Sequence, residues 1–339
     1  MKVFFAEEQR RHFPKTYPGT NGPQENPEHP ERVARLLAGA LQAGCELARP
    51  ENPGLGPIAT VHTPEYLSFL KTAYERWARY PGASSEVVPT IHPVTRDGVY
   101  PSSAVGQAGY HMADSACPIG AETWESACWS AWSAVAASNA VIEGEPCAYA
   151  LCRPPGHHAF ADIAGGFCYL NNAAVAAQHL LSHCKRVAIL DLDLHHGNGT
   201  QGIFYQRADV LTVSIHVDPA RFYPFFLGHE AERGAGAGLG YNMNLPLPRK
   251  ATDDVYLEAL AAACRRIEAF APDVLVVALG LDAHEGDPFG GLSVTTAGFA
   301  RIGEAVASLN LPGVVIQEGG YLSDSLDRNL ASFLRAIAG

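Results

Sequence analysis

The stretch Val187-Ala-Ile-Leu-Asp191-Leu-Asp193-Leu-His195-His196-Gly197-Asn198-Gly199 decides how this chain folds. A short apolar run with β-branched residues reads as a strand buried on both faces, and polar side chains cluster where it ends. Asp191, Asp193 and His195 alternate, so they face the same way if the chain stays extended. A carboxylate and an imidazole two residues apart then reach one metal at about 2.0–2.2 Å. The same pair also suits a plainer role, with Asp193 capping the next helix and His195 packing against a neighbour.

The design repeats along the chain. Val3 to Ala6, Ala148 to Cys152, Val210 to His216, Val274 to Leu279 and Val314 to Gln317 are further buried strands by the same criterion. Helical spacing marks Pro30 to Ala43, Glu125 to Ile142, Asn171 to His183, Asp254 to Ala269, Thr296 to Leu309 and Ser323 to Ala338. Alternating strands and helices define an α/β class, with a central, mainly parallel sheet covered by helices on both faces. Ligands of such sheets gather beyond the carboxyl ends of the strands. Residues 9–29 and 80–121 are rich in Pro, Gly, Ser and polar residues and break the rhythm. The alternation resumes after each, so they read as insertions in a single domain spanning 1–339. The run Gly234-Ala-Gly-Ala-Gly-Leu-Gly240 lacks the dinucleotide fingerprint and reads as a mobile loop.

Composition narrows the function. Hydrophobic residues at 47% support a substantial core, and charged residues at 17% are too few for a disordered chain. A formal charge of -11 disfavours non-specific nucleic-acid binding and favours cationic ligands, although ordinary cytosolic surfaces are acidic too. The eight cysteines contain no Cys-x-x-Cys pair and read as buried small hydrophobes in a reducing, cytoplasmic setting. The apolar run at the N-terminus is too short for a signal peptide, and no stretch approaches the ~20 apolar residues of a membrane span.

Three more strand ends carry chemistry. The strand from Val274 ends in Gly280-Leu281-Asp282, which puts a further carboxylate where a third metal ligand is needed. Two carboxylates and one imidazole leave a position open, as in catalytic zinc sites. His284, Glu285 and Asp287 read as surface turn residues. The strand from Ala148 leads into Arg153-Pro-Pro-Gly156-His157-His158, a rigid bend that presents adjacent imidazoles. These are metal ligands, or a general base with an electrostatic partner. Asp191 and Asn198 are available to orient the rings. The strand from Val314 ends in Glu318-Gly-Gly-Tyr321, where a phenol can meet a developing oxyanion.

These motifs, with Gly165-Gly-Phe-Cys-Tyr-Leu-Asn-Asn172 between them, closely resemble the arginase/deacetylase superfamily, specifically its histone deacetylase-like members. Thr123-Trp-Glu125, the long loop before it, and Phe226 to Glu232 look most like the bacterial acetylpolyamine amidohydrolases. The resemblance implies a zinc-dependent deacetylase with zinc on Asp193, His195 and Asp282. His158, oriented by Asn198, would be general base and acid, His157 paired with Asp191 would assist, and Tyr321 would polarise the acyl carbonyl. It also implies structural potassium ions, one on Asp191, Ser214 and the carbonyls of Asp193 and His195. A second would lie near Phe204, Arg207, Val210 and Tyr241. Gly166, Phe167 and Tyr223 would line the channel, with Phe289 at its mouth. The second metal's ligands needed by arginases are not recognisable. Expected partners are a small acylated amine, such as an acetylpolyamine, and a second copy of the chain through the 80–121 loop. Neither nucleic acid nor membrane is expected. Tyr17, Val105 and Ala116 stand where polyamine-selective relatives have Glu, and Asp114 or Glu125 could compensate. A protein acyl-lysine deacetylase is the alternative, and a catalytically silent binding module a further one.

Overall fold

The computed structural model describes residues 1–19 and 22–339, so the insertion at 9–29 lies outside the description at Thr20 and Asn21. In chain order the strands are β1 (Lys2–Phe4), β2 (Thr16–Gly19), β3 (Gly22–Glu25), β4 (Glu46–Ala48), β5 (Cys147–Ala150), β6 (Val187–Asp191), β7 (Val210–Val217), β8 (Asn242–Leu247), β9 (Val274–Leu279) and β10 (Gly313–Gln317). The helices are α1 (Glu31–Gln42), α2 (Gly56–Ala59), α3 (Pro64–Trp77), α4 (Ala104–His111), α5 (Thr123–Ile142), α6 (Asn172–Leu180), α7 (Asn198–Phe204), α8 (Asp253–Phe270), α9 (Thr296–Ala307) and α10 (Leu326–Ala338).

Eight strands form one sheet in the order β4-β1-β5-β10-β9-β6-β7-β8, and every pairing is parallel. Alternate side chains serve opposite faces. Ala188 and Leu190 of β6 join a core with α1, α8, α9 and α10, while Val187 and Ile189 join a second core with α5 and α6. Burial on both faces is why these strands read as unbroken apolar runs. The expected α/β layering is the one observed. The four central neighbours, β5, β10, β9 and β6, are the strands that end in the sequence motifs. The sheet therefore delivers those motifs side by side at one edge.

Three expectations need correction. The edge strands β4 and β8 were not expected, because Glu46-Leu-Ala48 is too short and Asn242-Met-Asn-Leu-Pro-Leu247 is mixed in polarity, with a proline suited to an edge. The 80–121 segment is not wholly irregular. It contains α4, capped by the Ser103 hydroxyl on the Gly106 amide at 3.0 Å. Met112 and Ile119 of this segment bury against α3 and α5 in a third core. The glycine run at 234–240 is folded against the end of α7, with the Ala235 amide bonded to the Tyr205 carbonyl at 2.9 Å. It is a packed turn rather than a free loop.

All eight cysteines are free, and six are buried. Among the described residues, no helix is long and apolar enough to cross a membrane. The packing of α1 on α10 supplies a test. A Cβ added at Gly39 would collide with the Asp327 carbonyl oxygen of α10. Gly39→Ala should therefore lower stability by about 1–3 kcal/mol in urea unfolding, although alanine is the better helix former.

Candidate active site

Beyond Asp191 the chain leaves the extended conformation, because side chains replace strand partners. The Asp193 amide donates to Asp191 Oδ1 at 3.1 Å, and the His195 amide donates to Asp193 Oδ1 at 2.8 Å. The bend leaves both carboxylates beside His157, whose Nε2 lies 3.8 Å from Asp193 Oδ1. Asp191 Oδ2 meets His157 Nδ1 at 3.0 Å, while Asp193 faces His195 and Asp282. His195 Nδ1 lies 3.2 Å from both Asp193 Oδ1 and Asp282 Oδ2. Donor atoms of these three buried residues all lie within 4.8 Å of one another.

Two such carboxylates are costly without compensation. Burial, then the charge of Asp193, pushes the Asp282 carboxyl up, whereas His157 and His195 hold Asp193 well below the usual range against its burial. Backbone amides share the charge: Leu194 donates to Asp282 Oδ1 at 3.0 Å and Gly319 to Asp193 Oδ2 at 2.8 Å. Gly319 must be glycine for this approach, since a Cβ there would lie 2.6 Å from Asp193 Oδ2. Two oxygens and one nitrogen with surplus negative charge fit a divalent cation such as zinc. A second group, His157, Cys168 and Glu318, also has donors within 4.8 Å. Most of its atoms have partners, although Glu318 Oε1 is buried without one. Cys168 is held as a thiol by burial, Glu318 Oε2 accepts the amides of Gly156 and His157 at 2.6 and 3.1 Å, and His157 Nδ1 is on Asp191.

The adjacent histidines sit in opposite electrostatic settings. Burial opposes charge on His157, but Asp191 and Asp193 outweigh it and raise its pKa to about 10. Burial, then His157 and His195, holds His158 well below the usual imidazole range. His158 Nδ1 is 2.7 Å from Asn198 Oδ1, an acceptor, so Nδ1 carries the proton and Nε2 keeps its lone pair. Tyr321 is buried among Phe289 and Phe167, with ring centroids 4.9 and 5.9 Å away.

A cavity of about 150 Å³ opens over these groups, lined by His157, His158, His195, Gly166, Phe167, Tyr223, Phe289 and Tyr321. Tyr17 and Ala116 line it too, whereas Val105 packs against the core beneath the insertion. Asp114 and Glu125 do not line it. Asp114 lies behind the wall, and Glu125 pairs with Arg11 at 3.2 Å. The residues suggested for potassium fall in two places. Asp191 and Ser214 are paired in register between β6 and β7, and Ser214 Oγ contacts His216 Nδ1 at 2.8 Å. Phe204, Arg207 and Val210 share the turn from α7 to β7, and the Tyr241 carbonyl accepts the Thr212 amide at 3.0 Å.

Several buried groups were missed or misjudged from sequence. His284 and Asp287 are buried rather than surface turn residues, as Glu285 is. Asp287 accepts the Tyr321 amide at 3.0 Å and the Phe289 amide at 2.9 Å. Arg32 donates to the carbonyls of Gly320 and Glu318 at 2.6 and 2.7 Å, and its guanidinium lies 4.9 Å over the Tyr321 ring. Glu28 bonds Arg32 at 2.7 Å and lies 2.9 Å from Arg153. Apart from Glu28 and Arg32, which are four residues apart, these partners are distant in sequence or in turns, where no periodic signal reveals them.

An all-parallel sheet gathers carboxylates, three imidazoles and a phenol at its carboxyl edge, a set that could hold a metal ion and serve a hydrolase. Residues 25–337 match the histone deacetylase domain, and the chain belongs to that family. It is 48% identical over 334 residues to the acetylpolyamine amidohydrolase of Burkholderia pseudomallei, covering 98% of this chain and 97% of that one. It is 41% identical over 344 residues to that of Mycoplana ramosa, covering 100% of both. A crystal structure of the Burkholderia pseudomallei enzyme superposes with a TM-score of 0.96 at 48% identity, covering 100% of this chain and 98% of that one. The HD domain of HDA15 superposes at 0.82 and 28% identity, covering 100% and 91%.

The Asp287 contacts lead to a measurable consequence. Asp287→Ala should lower turnover about ten- to a hundredfold by loosening the Tyr321 turn. Its metal content, measured by mass spectrometry, should stay at the wild-type level.

Proposed function

We propose that the chain is a metal-dependent deacetylase that hydrolyses acetylated polyamines or related small acylated amines. The observation that carries this reading is the meeting, over one 150 Å³ channel, of the Asp193, His195 and Asp282 donors with a neutral His158 and Tyr321. The curated relatives named acetylpolyamine amidohydrolase support the substrate class. The whole of 1–339 is read as one catalytic domain, set in the cytoplasm.

In this reading Asp193, His195 and Asp282 hold zinc. When bound, zinc supplies a Lewis acid that polarises the acyl carbonyl and acidifies a water. His158 Nε2 takes the proton of the attacking water, and Asn198 keeps the ring in the required tautomer. His157, charged through Asp191, stabilises the negative charge that builds up beside it. The Tyr321 hydroxyl donates to the oxyanion as the carbonyl carbon becomes tetrahedral. His158 then returns the proton to the amine nitrogen, and acetate and free amine leave. Gly166, Phe167, Tyr223 and Phe289 guide the chain of the amine. Potassium at the two places around Asp191 and Tyr241 would brace the loops.

One observation favours a second reading, an acyl-lysine side chain as substrate. The cavity lining, among the described residues, carries no carboxylate to receive a distant ammonium group.

N-acetylputrescine, N-acetylcadaverine and an acetyl-lysine peptide, assayed together on zinc-loaded protein, separate these readings. The small amides should be cleaved at least about tenfold faster in kcat/KM than the peptide. Tyr321→Phe should cost about 10²–10³ in kcat, and Asp282→Ala should lose the metal as well as activity. No cleavage by wild-type protein, with Asp282→Ala behaving identically, would end the deacetylase reading.

We infer that a second copy docks on the insertion, where Ile91, Val94 and Val99 are exposed apolar residues. Sedimentation should give a dimer that Val94→Asp with Val99→Asp splits into monomers, and a wild-type monomer would overturn it.

A further inference from the structure

Asp114 follows α4 and lies outside the channel lining, yet two pieces of the wall hang on its carboxylate. Oδ2 accepts the Tyr223 hydroxyl at 2.7 Å and the Gly166 amide at 3.2 Å. Oδ1 accepts the Ala116 amide at 2.8 Å, which fixes the carboxylate on its own loop. Tyr223 and Gly166 come from segments 109 and 52 residues further along the chain. Short hydrogen bonds from a phenol to a carboxylate are among the stronger ones in proteins.

The tether matters because, among the described residues, it is the one hydrogen bond of the Tyr223 hydroxyl. Pro224 after Tyr223 is buried, whereas Phe225 and Phe226 beyond are 51% and 88% exposed, so the chain turns out to solvent just past the tether. Inward there is no slack. The Tyr223 ring stands edge-on to His158, 4.9 Å between centroids at 89°. A Cβ at Gly166 would lie 2.8 Å from the Tyr223 hydroxyl and 2.5 Å from His158 Cδ2. With three donors already on it, Asp114 is a structural anchor for the wall rather than a receptor for a distant ammonium group.

We propose that Asp114 is a specificity-determining residue: by tethering Tyr223 and Gly166 it fixes the channel width, admitting unbranched acylated amines and refusing branched ones. This rests on the deacetylase reading. The substrate class it selects is an amide of a primary, straight-chain amine.

The test compares kcat/KM for N-acetylputrescine with that for its analogue methyl-branched two carbons from the amide nitrogen. Wild-type protein, Asp114→Ala, Tyr223→Phe and the double variant are measured. Each single variant should narrow the linear-to-branched ratio at least about fivefold. The double variant should narrow it no further, because residues acting as one unit are not additive. Amide hydrogen exchange across residues 165–168 gives a readout free of turnover, and it should speed up in Asp114→Ala. An unchanged ratio in both single variants, additive effects, or unchanged exchange would each overturn the proposal. Wild-type protein that cleaves neither amide, with exchange still faster in Asp114→Ala, would overturn the deacetylase reading and the selectivity while upholding the tether.

Discussion

Asp193 and Asp282 place two carboxylates side by side in a region closed to water, and like charges in that setting repel strongly. The amides of Leu194 and Gly319 and the ring of His195 converge on them, Leu194 and His195 from the bend after β6 and Gly319 from the end of β10. Such an arrangement is tolerable only if the backbone cannot relax. The parallel sheet provides that rigidity, because β6, β9 and β10 are hydrogen-bonded neighbours whose ends cannot drift apart independently. A divalent cation bound there would complete the charge balance that the amides begin, so that metal affinity and fold would be two sides of one constraint.

A second set of buried charges acts one layer further out. Glu28 lies between Arg32 and Arg153, and all three are fully buried. Removing one partner from such a set leaves an uncompensated charge, which is the expensive case. Its placement has a local consequence. Arg153 begins the bend that carries His157 and His158, and Arg32 holds the carbonyls on either side of Gly319. Glu318 closes the circuit by accepting the amides of Gly156 and His157. Burial raises its carboxyl to about 7, so these bonds form against an unfavourable background and depend on the surrounding packing. The histidine bend and the tyrosine turn are thus held by the same few side chains.

What was legible in the sequence follows from this division. Buried strands announce themselves as continuous apolar runs, and the residues at their ends were readable because chemistry-bearing types clustered there. Val187–Asp191 and Val274–Leu279 have the expected bounds, since both faces of each strand are covered. β8 was not legible, because an edge strand needs no apolar continuity. Asp191 and Asp193 were legible in type, but not the bend at the Asp193 amide that decides which partners each carboxylate meets. Arg32 and Asp287 were not legible at all. Arg32 meets Gly320 across 288 positions, and nothing local distinguishes it from the surface arginines of an amphipathic helix. Asp287 sits among turn residues whose composition suggests exposure, and only the fold of the Tyr321 turn buries it.

The adjacent histidines show how little of a site's chemistry resides in residue type. Their rings are 4.0 Å apart, too close for both to be cations without mutual repulsion. The choice between them is made by the groups behind. Asp191 is a carboxylate and draws positive charge to His157, whereas Asn198 is an amide, with no charge to offer His158. A neutral imidazole with a free Nε2 is the form a general base requires, and a fixed cation is the form that stabilises a neighbouring anion. The reading of His158 as the base therefore rests on Asn198 as much as on His158 itself. Exchanging the carboxylate and the amide would, on the same electrostatics, exchange the roles.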